Sequence, residues 1–180
     1  CNKNESTLIQ ISTDYVFDGK KNIPYVENDC MNALNVYGIS KLAGECFVKS
    51  LLKKHIIIRT SGLYGHNRCR GKPSGNFVEM FLNLISEKDI VEFKGFEICT
   101  PTYTKDLAEQ INKIIEIQKF GIFHATNEGH CSWYDFGKEI IKLTKSKTKL
   151  VQKQKIDKNL NYIRPKYSVL ENKKLNEFKI

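Results

Sequence analysis

The 180-residue chain is 41% hydrophobic and 27% charged, a globular balance that excludes a disordered segment, and no apolar run approaches the roughly 20 residues of a membrane-spanning helix. The formal charge of +9 arises wholly in residues 142–180, where twelve Lys and Arg face three acids. Lysine dominates that excess and no aromatics alternate with it, so a solvated surface is expected, with neither nucleic acid nor membrane as partner.

Residues 7–12, Thr-Leu-Ile-Gln-Ile-Ser, read as a buried strand, and a polar loop with Gly19, Pro24 and Asn28 follows. Across residues 36–54, Leu42, Cys46, Phe47, Leu51 and Leu52 recur near a 3.6-residue period, which predicts an amphipathic helix. Residues 55–59, His-Ile-Ile-Ile-Arg, form a second β-branched strand, and strand, helix, strand is the parallel crossover unit. A Gly/Arg/Pro loop then leads to a helix from Ser74 or Asn76 to about Lys88, a strand at 90–93 and another near Ile98. A helix beginning at Thr104, with Thr104 as its N-cap, presents Leu107, Ile111, Ile114 and Ile115 on one face. Residues 121–126 read as a strand, Ser132 caps a helix through Leu143, and 150–152 form a last short strand. This order predicts an α/β chain: a half sheet from residues 1–64 and 104–128, interleaved with a smaller α/β lobe built mostly from 65–103 and 129–180.

The six cysteines are scattered with no CxxC pair, and the chain shows no charged-then-apolar leader. Zinc is not expected, and reduced thiols in a cytoplasmic protein are. The four histidines read as strand or loop residues without a catalytic role.

Tyr37-x-x-x-Lys41 is the first chemical candidate, because residues four apart share a helical face. The spacing alone carries little weight: Tyr134/Lys138 and Tyr162/Lys166 repeat it. Pro165 interrupts the last of these, and Tyr134 sits beside Trp133 and Phe136 in an amphipathic, packing context. Tyr37 instead opens a helix after a strand that ends in Ser12-Thr13-Asp14, and hydroxyls at the C-terminal end of a parallel strand stand where such sheets bind ligands. A lysine ammonium close to a phenol favours the phenolate, so Tyr37 is expected to act as acid while Thr13 holds the same carbonyl oxygen.

The run from Ile11 to Glu45, ISTDYVFDGKKNIPYVENDCMNALNVYGISKLAGE, resembles the central signature of the dTDP-4-dehydrorhamnose reductase family within the extended short-chain dehydrogenase/reductase superfamily. Arg59-Thr60-Ser61, Tyr64-Gly65, Gly75-Asn76-Phe77, Pro101 to Thr104 with Asp106-Leu107-Ala108, Gly121 to Asn127, and Arg164-Pro165 with Ser168-Val169-Leu170 continue the resemblance in order. It implies the C-terminal half of a doubly wound, Rossmann-like parallel sheet with a small α/β substrate-binding lobe. The implied reaction is reduction of a dTDP-4-keto-6-deoxysugar by NADPH or NADH. Thr13, Tyr37 and Lys41 match the catalytic triad; Ser12, Tyr37, Lys41 and Thr60 fall beside the cofactor, and Asp14, Asn76 and Arg164 beside the nucleotide-sugar substrate. Mg2+ accompanies some members, but no carboxylate cluster here gives it a place.

Two departures stand out. Gly62 occupies the position where members often carry a Trp against the sugar nucleotide, which leaves the sugar open. The glycine-rich turn that seats the cofactor pyrophosphate is absent, so the chain is expected to be a fragment that binds cofactor poorly alone and leaves an apolar sheet edge exposed. A missing N-terminal half or a second copy is the expected protein partner. A non-enzymatic binding or regulatory subunit, and another nucleotide-sugar reductase or epimerase of the same superfamily, remain as alternative readings.

Overall fold

A computed structural model describes residues 1–67, 73–153 and 163–180. In chain order these form β1 (Leu8–Thr13), α1 (Val36–Leu51), β2 (His55–Thr60), β3 (Leu63–Tyr64), α2 (Phe77–Glu87), β4 (Ile90–Lys94), β5 (Ile98–Cys99) and β6 (Thr102–Tyr103). They continue with α3 (Thr104–Glu116), β7 (Gly121–His124), β8 (Cys131–Ser132), α4 (Trp133–Thr144), β9 (Lys149–Lys153) and α5 (Lys173–Phe178).

β1, β2 and β7 make a three-stranded parallel sheet in that order. Its register pairs Thr13 with Thr60 and Arg59 with His124, so the C-terminal ends of all three strands lie together. The two-residue alternation of β2 divides its side chains between the faces. Ile56 and Ile58 point to one side, where they join Leu107 and Ile114 of α3, Phe123, Ala125 and Leu175 of α5 in a buried cluster. Arg59 points to the other, where α1 lies and supplies Glu45. Val16, Phe17, Tyr25 and Leu170 form a second cluster with Leu42 of α1 packed against it.

The lobe is a separate core. β4 pairs with β9 in parallel, and Phe81, Val91 and Ile140 are buried between that ladder and helices α2 and α4. Gly137 lets α4 approach, since a Cβ there would meet the Phe81 ring at 2.7 Å. β5 and β8 add a short antiparallel ladder, and β3 pairs with β6.

Several boundaries differ from the sequence reading. β1 runs on to Thr13, and α1 stops at Leu51 because Leu52 is already extended and Lys54 gives its carbonyl to Leu8. Thr104 is the first residue of α3 and not its N-cap; Tyr103 holds that position, with no side-chain cap bond. The end of the chain does not stay with the lobe. Leu170 bridges Tyr25, Leu175 enters the sheet core, and Lys174 Nζ donates to the Ile122 carbonyl at 2.8 Å.

Among the described residues β1 pairs on one edge only. Near that edge Ile11 is partly exposed, and α1 shows Val36, Ile39, Phe47 and Leu51 to solvent. Open strand edges and apolar helix faces of this kind ordinarily lie against another element. No helix among the described residues is long and apolar enough to cross a membrane.

Candidate active site

At the end of β1 the chain turns sharply through Asp14–Val16, and the Thr13 hydroxyl starts the turn by accepting from Tyr15 N at 3.2 Å. α1 begins beside it. Asn35 caps the helix by accepting from Gly38 N at 2.9 Å, and Gly38 lies so close to the Tyr15 carbonyl that no side chain fits. That contact presses the first turn of α1 onto the strand end. Tyr37 is 53% exposed there, its ring edge-on to Tyr15 with centroids 5.9 Å apart. One turn later Lys41 reaches back over β1, donating from Nζ to the Ile11 carbonyl at 2.8 Å. Asn35 also donates to the Ile163 carbonyl at 2.8 Å, which draws the segment carrying Arg164 to the same end of the sheet.

Asp14 lies beneath this surface, buried and surrounded by hydroxyls. The Thr13 and Ser61 hydroxyls each donate to it at 2.9 Å, and Ser168 adds a third. Burial holds its carboxyl above the ordinary carboxylate range, with the hydroxyl bonds only partly opposing the shift. Burial and then the neighbouring Asp14 push the Tyr15 phenol up, while Arg164 opposes. Arg164 Nη1 stands 3.5 Å from Glu97 Oε2, and Glu97 also takes Lys94 Nζ at 2.7 Å. Thr60, level with Thr13 on the next strand, has a buried hydroxyl with no hydrogen-bond partner among the described residues.

The structure thus gathers Thr13, Asp14, Tyr37, Lys41, Thr60 and Arg164 around one end of the sheet. Two expected site residues are engaged otherwise. The Ser12 hydroxyl points inward and donates to Glu45. Asn76 caps α2 in a reciprocal box with Glu79 and donates to the Gly65 carbonyl at 2.8 Å. Tyr134 belongs to α4 in the lobe, and Tyr162 lies outside the described residues. Gly62 has φ of +55°, and a Cβ there would meet the Thr100 carbonyl at 2.9 Å, so the backbone itself is built without a side chain at that point.

What sequence reading passed over is the scaffold under the site. Glu45, one turn beyond Lys41, is wholly buried and receives Arg59 Nε at 2.9 Å, Arg59 Nη2 at 2.7 Å and the Ser12 hydroxyl. β1, α1 and β2 are thereby keyed together. An acid on the helix face that also carries Leu42 was the available signal. Among the described residues no three His, Cys, Asp or Glu side chains group as a metal site.

The fold is a Rossmann-like α/β unit of the kind seen in solved nucleotide-sugar reductases and epimerases. The whole chain, residues 1–180, matches the RmlD substrate binding domain family, and the protein belongs to that family. It is similar to the spore coat polysaccharide biosynthesis protein SpsK of Bacillus subtilis, 38% identical over 94% of this chain and 57% of SpsK. It is also similar to a dTDP-4-dehydrorhamnose reductase of Aggregatibacter actinomycetemcomitans, 41% identical over 74% of this chain and 46% of that enzyme. The crystal structure of a dTDP-4-dehydrorhamnose reductase from Clostridium acetobutylicum superposes with a TM-score of 0.91 at 39% identity, covering 99% of this chain and 61% of that one. A Bacillus anthracis dTDP-4-dehydrorhamnose reductase in complex with NADP gives 0.89 at 36% identity, covering 96% and 59%. The chain therefore spans about half to three-fifths of the length of these relatives.

Proposed function

We propose that this chain is the catalytic and substrate-binding part of an NADPH- or NADH-dependent reductase of a dTDP-4-keto-6-deoxysugar, with the conversion of dTDP-4-dehydrorhamnose to dTDP-rhamnose as its reaction. What supports the reading is that the first turns of α1 set Tyr37 against Tyr15 and Lys41 over Ile11, beside the strand end that carries Thr13, in a chain of the RmlD substrate binding domain family.

The nicotinamide cofactor supplies the hydride. On this chain, Tyr37 and Lys41 would hold the nicotinamide ribose, and the Thr60 hydroxyl, without a hydrogen-bond partner among the described residues, would offer a further polar contact at that end of the sheet. The remainder of such a cofactor needs a glycine-rich turn, which none of the glycines here supplies. The open edge of β1 and the apolar face of α1 are where a nucleotide-binding unit adds its strand and helix.

Tyr37 donates the proton to the developing alkoxide, and its exposure gives a substrate access to the phenol. Thr13 has a single proton, and that proton is directed at Asp14. For Thr13 to donate to a carbonyl oxygen, Asp14 takes up a proton and becomes the donor in their shared bond. Burial of Asp14 favours that state. Arg164, oriented by Glu97, supplies positive charge for the diphosphate.

The test uses two preparations. The chain as it stands is titrated with dTDP-rhamnose by calorimetry. The chain preceded by the nucleotide-binding part of a relative is then assayed for NADPH oxidation with dTDP-4-dehydrorhamnose. Binding by the first and turnover by the second are expected. Binding of the sugar nucleotide without any turnover would instead support a non-catalytic subunit.

A further inference from the structure

Two of the scattered cysteines meet in the fold. β5 and β8 pair antiparallel with Cys99 directly opposite Cys131 and Ile98 opposite Ser132. Ile98 turns its backbone the other way: its N–H donates to the Lys166 carbonyl at 2.8 Å and its carbonyl accepts from Ser168 N at 2.9 Å. Backbone groups alternate sides along a strand, so Cys99 faces β8, and Cys99/Cys131 is the hydrogen-bonded pair of the ladder. Cα atoms of such a pair lie about 5.5 Å apart with both side chains on one face of the sheet. Disulfides span Cα separations of about 4.4–6.8 Å, so neither backbone must move far to join them.

We propose that Cys99 and Cys131 are a thiol-exchange site that takes a small-molecule disulfide and closes into a Cys99–Cys131 bond. Both are free thiols in this structure. Cys131 is half-buried and is the entry point, whereas Cys99 is buried and can react only with its neighbour. In the first step the Cys131 thiolate attacks the small disulfide RS–SR, forming Cys131–S–SR and releasing RS⁻, which is protonated to RSH. In the second, Cys99 gives up its proton, attacks the Cys131 sulfur and expels the second RSH. Two thiol hydrogens leave the protein, and its two electrons reduce the small disulfide.

Burial, with Asp14, Cys131 and Glu97 adding to it, holds the Cys99 thiol above the ordinary thiol range; burial and Asp135 do the same to Cys131. Exchange is therefore slow at neutral pH and accelerates as pH rises. Position gives the bond its consequence. Cys99, close to Asp14, leads through Thr100 and Pro101 into β6, and Cys131 immediately precedes Ser132, the N-cap of α4. Closure ties the lobe helix to the segment under the candidate active site, independently of the reaction catalysed there.

The 180-residue chain is incubated with oxidised glutathione at mildly alkaline pH, the remaining thiols are alkylated, and peptides are mapped by mass. A Cys99–Cys131 cross-linked peptide, lighter by two hydrogens, is expected in protein whose circular dichroism is unchanged. Reduction should reverse it. Cys99→Ser should accumulate the Cys131–glutathione adduct, and Cys131→Ser should leave Cys99 unmodified. The proposal is overturned if exposed Cys1, Cys30 and Cys46 react while no Cys99–Cys131 link forms, or if the link appears only in urea. It is equally overturned if wild-type protein keeps a Cys131 adduct that never resolves.

Discussion

Replacing Glu45 with Ala removes the acceptor of four hydrogen bonds and the only carboxylate bonded to Arg59 among the described contacts. Both side chains are fully buried, so water cannot take over. The guanidinium would keep the Glu27 carbonyl at 3.2 Å, the Met31 sulfur and the Phe17 ring at 5.2 Å, none of which carries a negative charge. Breaking a buried pair by deleting one partner costs about 3–5 kcal/mol. At about 2–4 °C per kcal/mol for a chain of this size, the melting temperature falls by about 6–20 °C. Thermal denaturation followed by circular dichroism measures it. Glu45→Gln, which keeps an acceptor oxygen and loses the charge, should fall between wild type and Glu45→Ala. The double variant Glu45→Leu/Arg59→Met should recover much of the loss, because apolar replacement of a buried pair is often neutral. A loss for Glu45→Ala below about 1 kcal/mol, the range of exposed ion pairs, would refute the reasoning.

His124 is fully buried, and burial followed by the Arg59 charge pushes its imidazole down to about 3. An unfolded chain binds that proton first, so stability is complete above pH 6.5 and declines as pH falls toward 3, with a slope approaching about 1.4 kcal/mol per pH unit from this group. Urea titrations at a series of pH values should show that slope in wild type and a reduced one in His124→Asn. Asp14 works with the opposite sign. Its raised carboxyl makes the folded state bind the proton more tightly, so stability falls as pH rises above 3.8, and Asp14→Asn should melt higher than wild type at pH 7 with the gap closing in acid. Gly62→Trp should destabilise and fail to restore a stacking platform, because the left-handed backbone and the Thr100 carbonyl at 2.9 Å both resist a side chain; the readouts are melting temperature and dTDP-rhamnose affinity. In the completed enzyme Tyr37→Phe should lower kcat by about 10²–10⁴ while Tyr134→Phe changes it little, and equal effects of the two would remove Tyr37 from its role.

The elements of this protein were legible in its sequence because they follow from local chemistry. β-branched runs at Leu8–Thr13 and His55–Thr60 make strands, the periodicity around Leu42 makes α1, and Ser132 announces its helix as a cap. The short Tyr37–Lys41 spacing and the Ser12-Thr13-Asp14 strand end marked the candidate site for the same reason: neighbours in sequence remain neighbours in a helix or at the end of a strand. The helix α5 was not read, since its six residues carry too few apolar positions to show a period and are held by Leu175 in a core supplied from β2, α3 and β7. Tertiary structure alone decided which way each polar group points. It turned Ser12 inward to Glu45, spent Asn76 on a helix cap, and directed the Thr13 proton at a buried Asp14. It also set Cys99 opposite Cys131, 32 positions further along the chain. Such pairings depend on the register of segments distant in the chain, and register is chosen by the packing of the whole core, which no local pattern encodes.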